Sequence, residues 1–121
     1  MISIEEVPLE LAIAIKEFWP QEEWDHAASI AQLESRLDPF AENDSTKGGL
    51  IACNTAIGYI DGVAISAEHS IGWFQINACN FQDWEWARLF NTRHNAGTAH
   101  MLWSSSGWKP WYFSAKSLGL I

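Results

Sequence analysis

The chain has 121 residues, 48% hydrophobic and 18% charged, with a formal net charge of −8. That is enough for one domain with a real core and too little for two, and the composition excludes a disordered chain. The charge argues against nucleic acid, where neutralisation of phosphates by Lys and Arg dominates affinity. No apolar run approaches the roughly 20 residues that span a bilayer, so no membrane partner is expected.

The N-terminus, MISIEEVPLELAIAIKEFW, carries acids where a secretory signal carries lysines, and it has no small-residue cleavage site. The expectation is a protein made without a classical export signal. Pro8 opens a first short helix over 8–18, with Leu9, Ala12, Ile13, Ile15 and Phe18 as its inner face. Trp19-Pro20 breaks it, because the residue before proline resists helical angles. Pro20 then starts a second helix, from about Gln21 to Leu37. Its residues Trp24, Ala27, Ala28, Ala31 and Leu33 recur at spacings of three and four, and Asp38-Pro39 stops it.

Within this helix Glu34 follows Ala27, Ile30 and Ala31 at helical neighbour spacings. On the apolar side, burial would disfavour its charged form and raise its pKa, as a general acid near neutral pH requires. Alternatively it turns sideways into water, as most glutamates do. The helix alone favours the second outcome.

The next segment, AENDSTKGG, reads as a polar loop. Residues 50–77 hold short apolar runs: Leu50–Cys53, Ile57–Ile60, Val63–Ile65 and Ile71–Ile76. Asp61-Gly62 between two of them predicts a small β-hairpin. From Phe81 the chain turns helical again. Asn91-Thr92 starts a helix carrying Ala96, Ala99, His100 and Trp103, and Ser104–Gly107 ends it. Trp108–Trp111 forms a rigid aromatic corner, and a last short helix runs through Phe113–Leu118. With no repeats or linkers, residues 1–121 make a single α+β domain, mostly α.

Eight tryptophans, at 19, 24, 73, 84, 86, 103, 108 and 111, exceed what a core of this size needs. Two or three belong to the core, and the surplus fits a groove that stacks on sugar rings. Residues 1–44 hold eleven acids against Lys16 and Arg36, whereas residues 45–121 hold four acids against five basic groups. The acidic third therefore reads as solvated surface and the groove as neutral. Cys53 and Cys79 either pair, if their strands come together, or remain buried thiols, the commoner state. His26, His69, His94 and His100 are scattered and there is no CxxC pattern, so neither a metal nor another cofactor is expected.

Several signals now stand in order: Glu34-Ser35 closing a helix, a β stretch ending in Gly72-Trp73-Phe74-Gln75-Ile76-Asn77, a helix beginning near Asn95-Ala96, and Gly107-Trp108-Lys109-Pro110-Trp111. Over about residues 24–113 the chain resembles the lysozyme-like superfamily of lytic transglycosylases, animal lysozymes and phage cell-wall lysins. The resemblance implies helices around a small β-hairpin region and a substrate cleft. It also implies cleavage of the β-1,4 bond between N-acetylmuramic acid and N-acetylglucosamine in peptidoglycan. Glu34 falls on the catalytic acid, a role for which lysozyme's carboxyl against an apolar pocket is the established example. The pocket wall would come from the Ala27–Ala31 stripe with Trp73 or a tryptophan of the 103–111 region.

Gln75 and Asn77 match the cleft-lining segment, and strand alternation puts them on one face with Phe74 and Ile76 on the other. Their amides suit an acetamido group or a hydroxyl. A polar edge-strand face would look the same. Gly72 fits a close approach of backbone to ligand, or a bulge. Where animal lysozymes carry a second carboxylate, two residues before the motif glycine, this chain has Ser70. Glu68 lies on the same extended face, and Asp61 or Asp44 could approach, although Glu68 reads most simply as a solvated loop residue. The remaining route needs Glu34 alone, with the substrate's acetamido group or 6-hydroxyl attacking the anomeric carbon. The second of these gives the anhydro product of a transglycosylase. Tyr59 belongs either to the cleft or to the hairpin core, and Asn95 either bridges to the cleft or buttresses it. Trp108 and Trp111 are expected to pack.

A phage or prophage origin, acting on the bacterial wall as a monomer or within a larger assembly, follows from the type of protein. The rival is a non-catalytic glycan-binding or phage-tail structural module that keeps the fold.

Overall fold

Two proline junctions lay out the first half of the helical core in the computed structural model, which describes residues 1–121. After a short 3-10 turn at Ile4–Glu6, capped by Ser3, α1 runs over Leu9–Phe18. Its buried face is Leu11, Ala12, Ala14 and Ile15, while Leu9 and Ile13 are exposed. The expected stripe is thus rotated. The sequence LELAIAI is apolar nearly all round, so its period does not choose a face, and packing against the neighbouring helices does.

Trp19 is extended (φ −99°, ψ 150°), a 3-10 turn follows at Gln21–Glu23, and α2 spans Trp24–Ser35. This helix stops two residues earlier than the sequence suggests. Arg36 and Leu37 both take left-handed angles (φ 55° and 59°), and the Arg36 N–H donates to the Gln32 carbonyl at 2.9 Å. That reversal sends the chain past Asp38-Pro39 into the sheet.

The segment expected as a loop contains a strand, β1, at Glu42–Asp44. β2 (Ala56–Ile60) and β3 (Val63–Ser66) form the anticipated hairpin, turning at Asp61 and Gly62 with φ of 50° and 78°. None of its residues is buried. Leu50–Cys53 is turn rather than strand. β4 (His69–Ile71) and β5 (Ile76–Asn77) join β1 in an antiparallel sheet of order β1-β4-β5. Ile71–Ile76 is therefore not one strand: residues 72–75 form a tight turn between β4 and β5. In register, Asn43 pairs with Ser70 and Ser70 with Asn77, so these three side chains form one row across one face of the sheet.

Two 3-10 segments, Ala78–Asn80 and Asp83–Phe90, precede the helix expected at Asn91-Thr92. α3 then runs over Thr92–Ser106, its first turn capped by Asn91, which accepts from the His94 N–H at 3.0 Å. A 3-10 turn at Lys109–Trp111 leads into α4, Tyr112–Ser117. No helix is long and apolar enough to cross a membrane.

The tryptophans build the core rather than a stacking groove. Trp19, Trp73, Trp108 and Trp111 are buried, Trp24, Trp86 and Trp103 pack against them in part, and only Trp84 is largely exposed, at 65%. Trp19 is the hub. It lies parallel to Trp108 at 6.1 Å between ring centroids and contacts Phe74 at 5.4 Å and His100 at 5.3 Å.

The cysteines, left open by the sequence, are joined: Cys53 and Cys79 form a disulfide between the loop before the hairpin and the turn after β5. The 26-residue separation they close predicts about 3.5 kcal/mol of stabilisation through the unfolded chain. Replacing both cysteines by serine should lower the unfolding free energy by that order, measured by denaturant titration under non-reducing conditions.

Candidate functional site

Glu34 sits at the penultimate position of α2, and its side chain lines a concavity together with residues of the β1-β4-β5 sheet. The last turn of the helix is closed by Ser35, whose hydroxyl donates to the Ala31 carbonyl at 2.9 Å. The side chain is half-buried and lies where two concavities meet. The first, of about 410 Å³, is wholly polar and is lined by Asn43, Asp44, Ser45 and Ser70 together with Glu34, Glu68 and Gln75. The second, of about 240 Å³, shares the last three residues and adds the amides of Asn77 and Asn80 and the apolar surfaces of Ile76, Phe81, Leu102, Pro110 and Trp111.

Burial pushes the Glu34 carboxyl above the ordinary carboxylate range. The hydrogen bond from the Ser114 hydroxyl (2.5 Å to Oε2) pulls it down, and the nearby negative charge of Glu68 pushes it up again. Asp44 moves the other way. The Thr46 hydroxyl donates to it, the backbone N–H groups of Gly48 and Thr46 donate too, and its carboxyl stays ionised below the usual range. The cleft thus combines an acid favoured in its neutral form with carboxylates around it, and it is acidic rather than neutral as the charge distribution suggested.

Glu68, read most simply as solvated, lines both concavities. Its backbone is held on both sides by Ser45, which donates its N–H to the Glu68 carbonyl at 2.9 Å and accepts the Glu68 N–H on Oγ at 2.9 Å. Ser70, only 3% exposed, donates its hydroxyl to Glu68 Oε1 at 3.1 Å. Ser70 therefore orients a carboxylate instead of replacing one.

Gln75 reaches the cleft by another route than strand alternation. It ends the 72–75 turn at φ 49°, and its amide is fully engaged. Nε2 donates to the carbonyls of Ala41 and Gly72, both at 3.2 Å, and Oε1 accepts from Asn43 at 2.7 Å. Asn77 is similarly occupied, accepting the N–H groups of His69 (3.2 Å) and Cys79 (3.1 Å) and donating to Asn54 (3.2 Å). Both are wall-builders first.

Trp73, Tyr59, Asp61, Asn95 and Gly72 line neither concavity. Trp73 is buried, its indole N–H donating to the Thr92 hydroxyl at 2.9 Å. Tyr59 is 72% exposed on the hairpin. Asn95 is fully buried: it accepts the Phe74 N–H at 3.0 Å and donates to the carbonyls of Ile71 (2.9 Å) and Leu89 (2.8 Å). Gly72, at φ 80°, is glycine for this reason, since a Cβ there would lie 2.3 Å from Asn95 Nδ2 and 2.7 Å from the Leu89 carbonyl oxygen. The close approach is to the protein, not to a ligand.

The Ala27–Ala31 stripe is buried in the core, whereas a tryptophan of the 103–111 region, Trp111, does line the concavity beside Glu34, with Phe81, Leu102 and Pro110. Trp111 does pack, as expected, its indole N–H donating to the Phe74 carbonyl at 2.8 Å.

Comparison with protein-family models, curated proteins and solved structures finds no match. The site stands on its own residues. Ser114, Asn43, Asn80 and Leu102 were missed by sequence reasoning. Asn43 lay in a supposed loop, and no local pattern tells which side of α3 or α4 faces α2. No group of three or more His, Cys, Asp or Glu residues is arranged to hold a metal ion. A larger concavity, about 490 Å³, lies between α1 and the start of α3, and an exposed Arg93–Glu17 ion pair lies along it.

Two outcomes follow. Asn95→Ala leaves a buried N–H and two carbonyls unpaired and should cost about 3 kcal/mol in denaturant unfolding, with Gly72→Ala at least as damaging. Glu34 keeps its proton in the folded state to a higher pH than in the unfolded chain. Its contribution to stability is full below the ordinary carboxylate pKa and is lost as pH rises through the raised one. Glu34→Gln should therefore gain stability relative to the parent across that window, read from unfolding curves at successive pH values.

Proposed function

We propose that this chain is a lysozyme-like muramidase, cleaving the β-1,4 bond between N-acetylmuramic acid and N-acetylglucosamine of bacterial peptidoglycan, with Glu34 as general acid. The observation that carries the reading is a carboxyl held towards its neutral form at the junction of two concavities. A glycan strand lying across that junction would place one sugar in each, with the scissile oxygen beside the acid. The apolar wall of Phe81, Leu102, Pro110 and Trp111 suits a sugar face or an acetamido methyl. The order of the Glu34-Ser35, Gly72–Asn77 and Trp108–Trp111 motifs supports the same family.

In this reading Glu34 delivers its proton to the glycosidic oxygen, and the bond from that oxygen to the anomeric carbon breaks. Positive charge then develops on the ring and its oxygen. Glu68, oriented by Ser70 and Ser45, faces the same space and stabilises that charge. If a water attacks the anomeric carbon, Glu68 takes its proton and the reaction is hydrolysis. If the substrate's own 6-hydroxyl attacks instead, Glu34 receives the second proton and the product carries an anhydro end. A phage or prophage lysin is the type of protein that fits this activity and target.

Purified peptidoglycan digested with the enzyme and weighed as muropeptides tests the reading: reducing ends mean hydrolysis, anhydro ends transglycosylation. Glu34→Gln should lower kcat/KM by about 100- to 10,000-fold with wall binding retained. Unchanged lysis in that variant would instead favour a non-catalytic glycan-binding or tail module. Activity should fall as pH rises through the raised Glu34 pKa, and Glu68→Gln should move that falling limb to lower pH.

A further inference from the structure

Glu34 and Ser114 lie 80 residues apart in sequence, on α2 and α4, and meet through one hydrogen bond of 2.5 Å. The serine hydroxyl donates to Glu34 Oε2, and no other protein group occupies either carboxyl oxygen. We propose that Ser114 is a positioning residue for the acid: it fixes the carboxyl plane and reserves Oε1 as the oxygen that carries the transferable proton. This rests on Glu34 being the general acid, but it adds a residue that neither the family's motifs nor the lining of the cleft reveals.

The chemistry is specific. A neutral carboxylic acid has one carbonyl oxygen, which accepts, and one hydroxyl oxygen, which donates. With the Ser114 hydroxyl pointing at Oε2, the favourable arrangement puts the acid proton on Oε1, the oxygen free for substrate. Once the proton has left, the same bond becomes charge-assisted and strengthens. Ser114 therefore stabilises the ionised product of proton transfer more than the neutral reactant, which is the differential stabilisation that raises kcat. It opposes burial, which by itself raises the Glu34 pKa further.

The surroundings leave no substitute. Glu68 and Asp44, the titratable groups sharing the cavity, are both acids and cannot donate when ionised. Lys116, on the same helix as Ser114, lies with its Nζ 5.7 Å from the centre of the Tyr112 ring. Arg36 and Lys109 are exposed and line neither concavity. Ser114 itself lines neither, so it makes no expected contact with substrate.

The test pairs two readouts on the full chain. Side-chain carboxyl carbons labelled with ¹³C are titrated by NMR in the parent, Ser114→Ala and Ser114→Thr, with Glu34→Gln assigning the Glu34 resonance. Ser114→Ala should move the Glu34 midpoint upward, and Ser114→Thr, which keeps the hydroxyl, should leave it in place. On peptidoglycan, Ser114→Ala should lower kcat about ten-fold with KM within about two-fold, and Ser114→Thr should retain most of the rate. An unmoved midpoint in Ser114→Ala overturns the proposal, as does a moved midpoint with kcat intact or a loss confined to KM. If the parent cleaves no glycan, the functional reading fails by itself, and the titration still decides whether Ser114 controls Glu34.

Discussion

One buried amide holds the two halves of this molecule in register. Asn95, inside α3, reaches the turn between β4 and β5 and satisfies Phe74, Ile71 and Leu89 with its own donors and acceptor. Trp111 adds a second tie from the other side, through the Phe74 carbonyl. Because Gly72 has no Cβ, helix and turn can approach this closely. The turn then delivers Gln75 at a left-handed angle to pin β1 through Asn43 and Ala41. The position of the sheet relative to Glu34 is the end of that chain of contacts. An amide buried with all its partners matched tolerates only one arrangement, which is why a polar group at the centre specifies the fold more sharply than another leucine there.

What could be read from the sequence was what depends on neighbours in the chain. Pro8 and Pro20, the Asp61-Gly62 turn and the Asn91 cap act over a few residues, and each element they define is present. Glu34 was singled out by local spacing, yet it shares a concavity with Phe81, Leu102, Pro110 and Trp111, which no spacing rule connects. Strand alternation failed at Gln75 because it assumes an unbroken strand, and a single glycine forced against Asn95 breaks it. β1 was lost among turn-forming residues, since a three-residue strand is specified by its partner β4 rather than by its own composition.

Tryptophan and charge carry a related lesson. An excess of aromatic rings suggested a surface for stacking, whereas four of the tryptophans, 19, 103, 108 and 111, pack against one another. A small domain rich in alanine at its helix contacts needs bulky side chains to fill the space between helices. The carboxylates, in turn, were expected on a solvated face, but Glu34, Asp44 and Glu68 gather in one cleft. Burial raises the proton affinity of Glu34, and the charge of Glu68 beside it adds to that shift.

The disulfide has a topological consequence as well as an energetic one. The bond between Cys53 and Cys79 encloses Glu68, Ser70, Gln75 and Asn77, with the exposed hairpin as the outermost part of the ring. A protease reaching the Asp61-Gly62 tip would cut the chain without detaching either fragment. The β2 and β3 arms would fall open, while the polar side of the cleft stayed covalently tied to the helices on both flanks. A chain tied in this way stays in one covalent piece after a single cut at its most accessible turn.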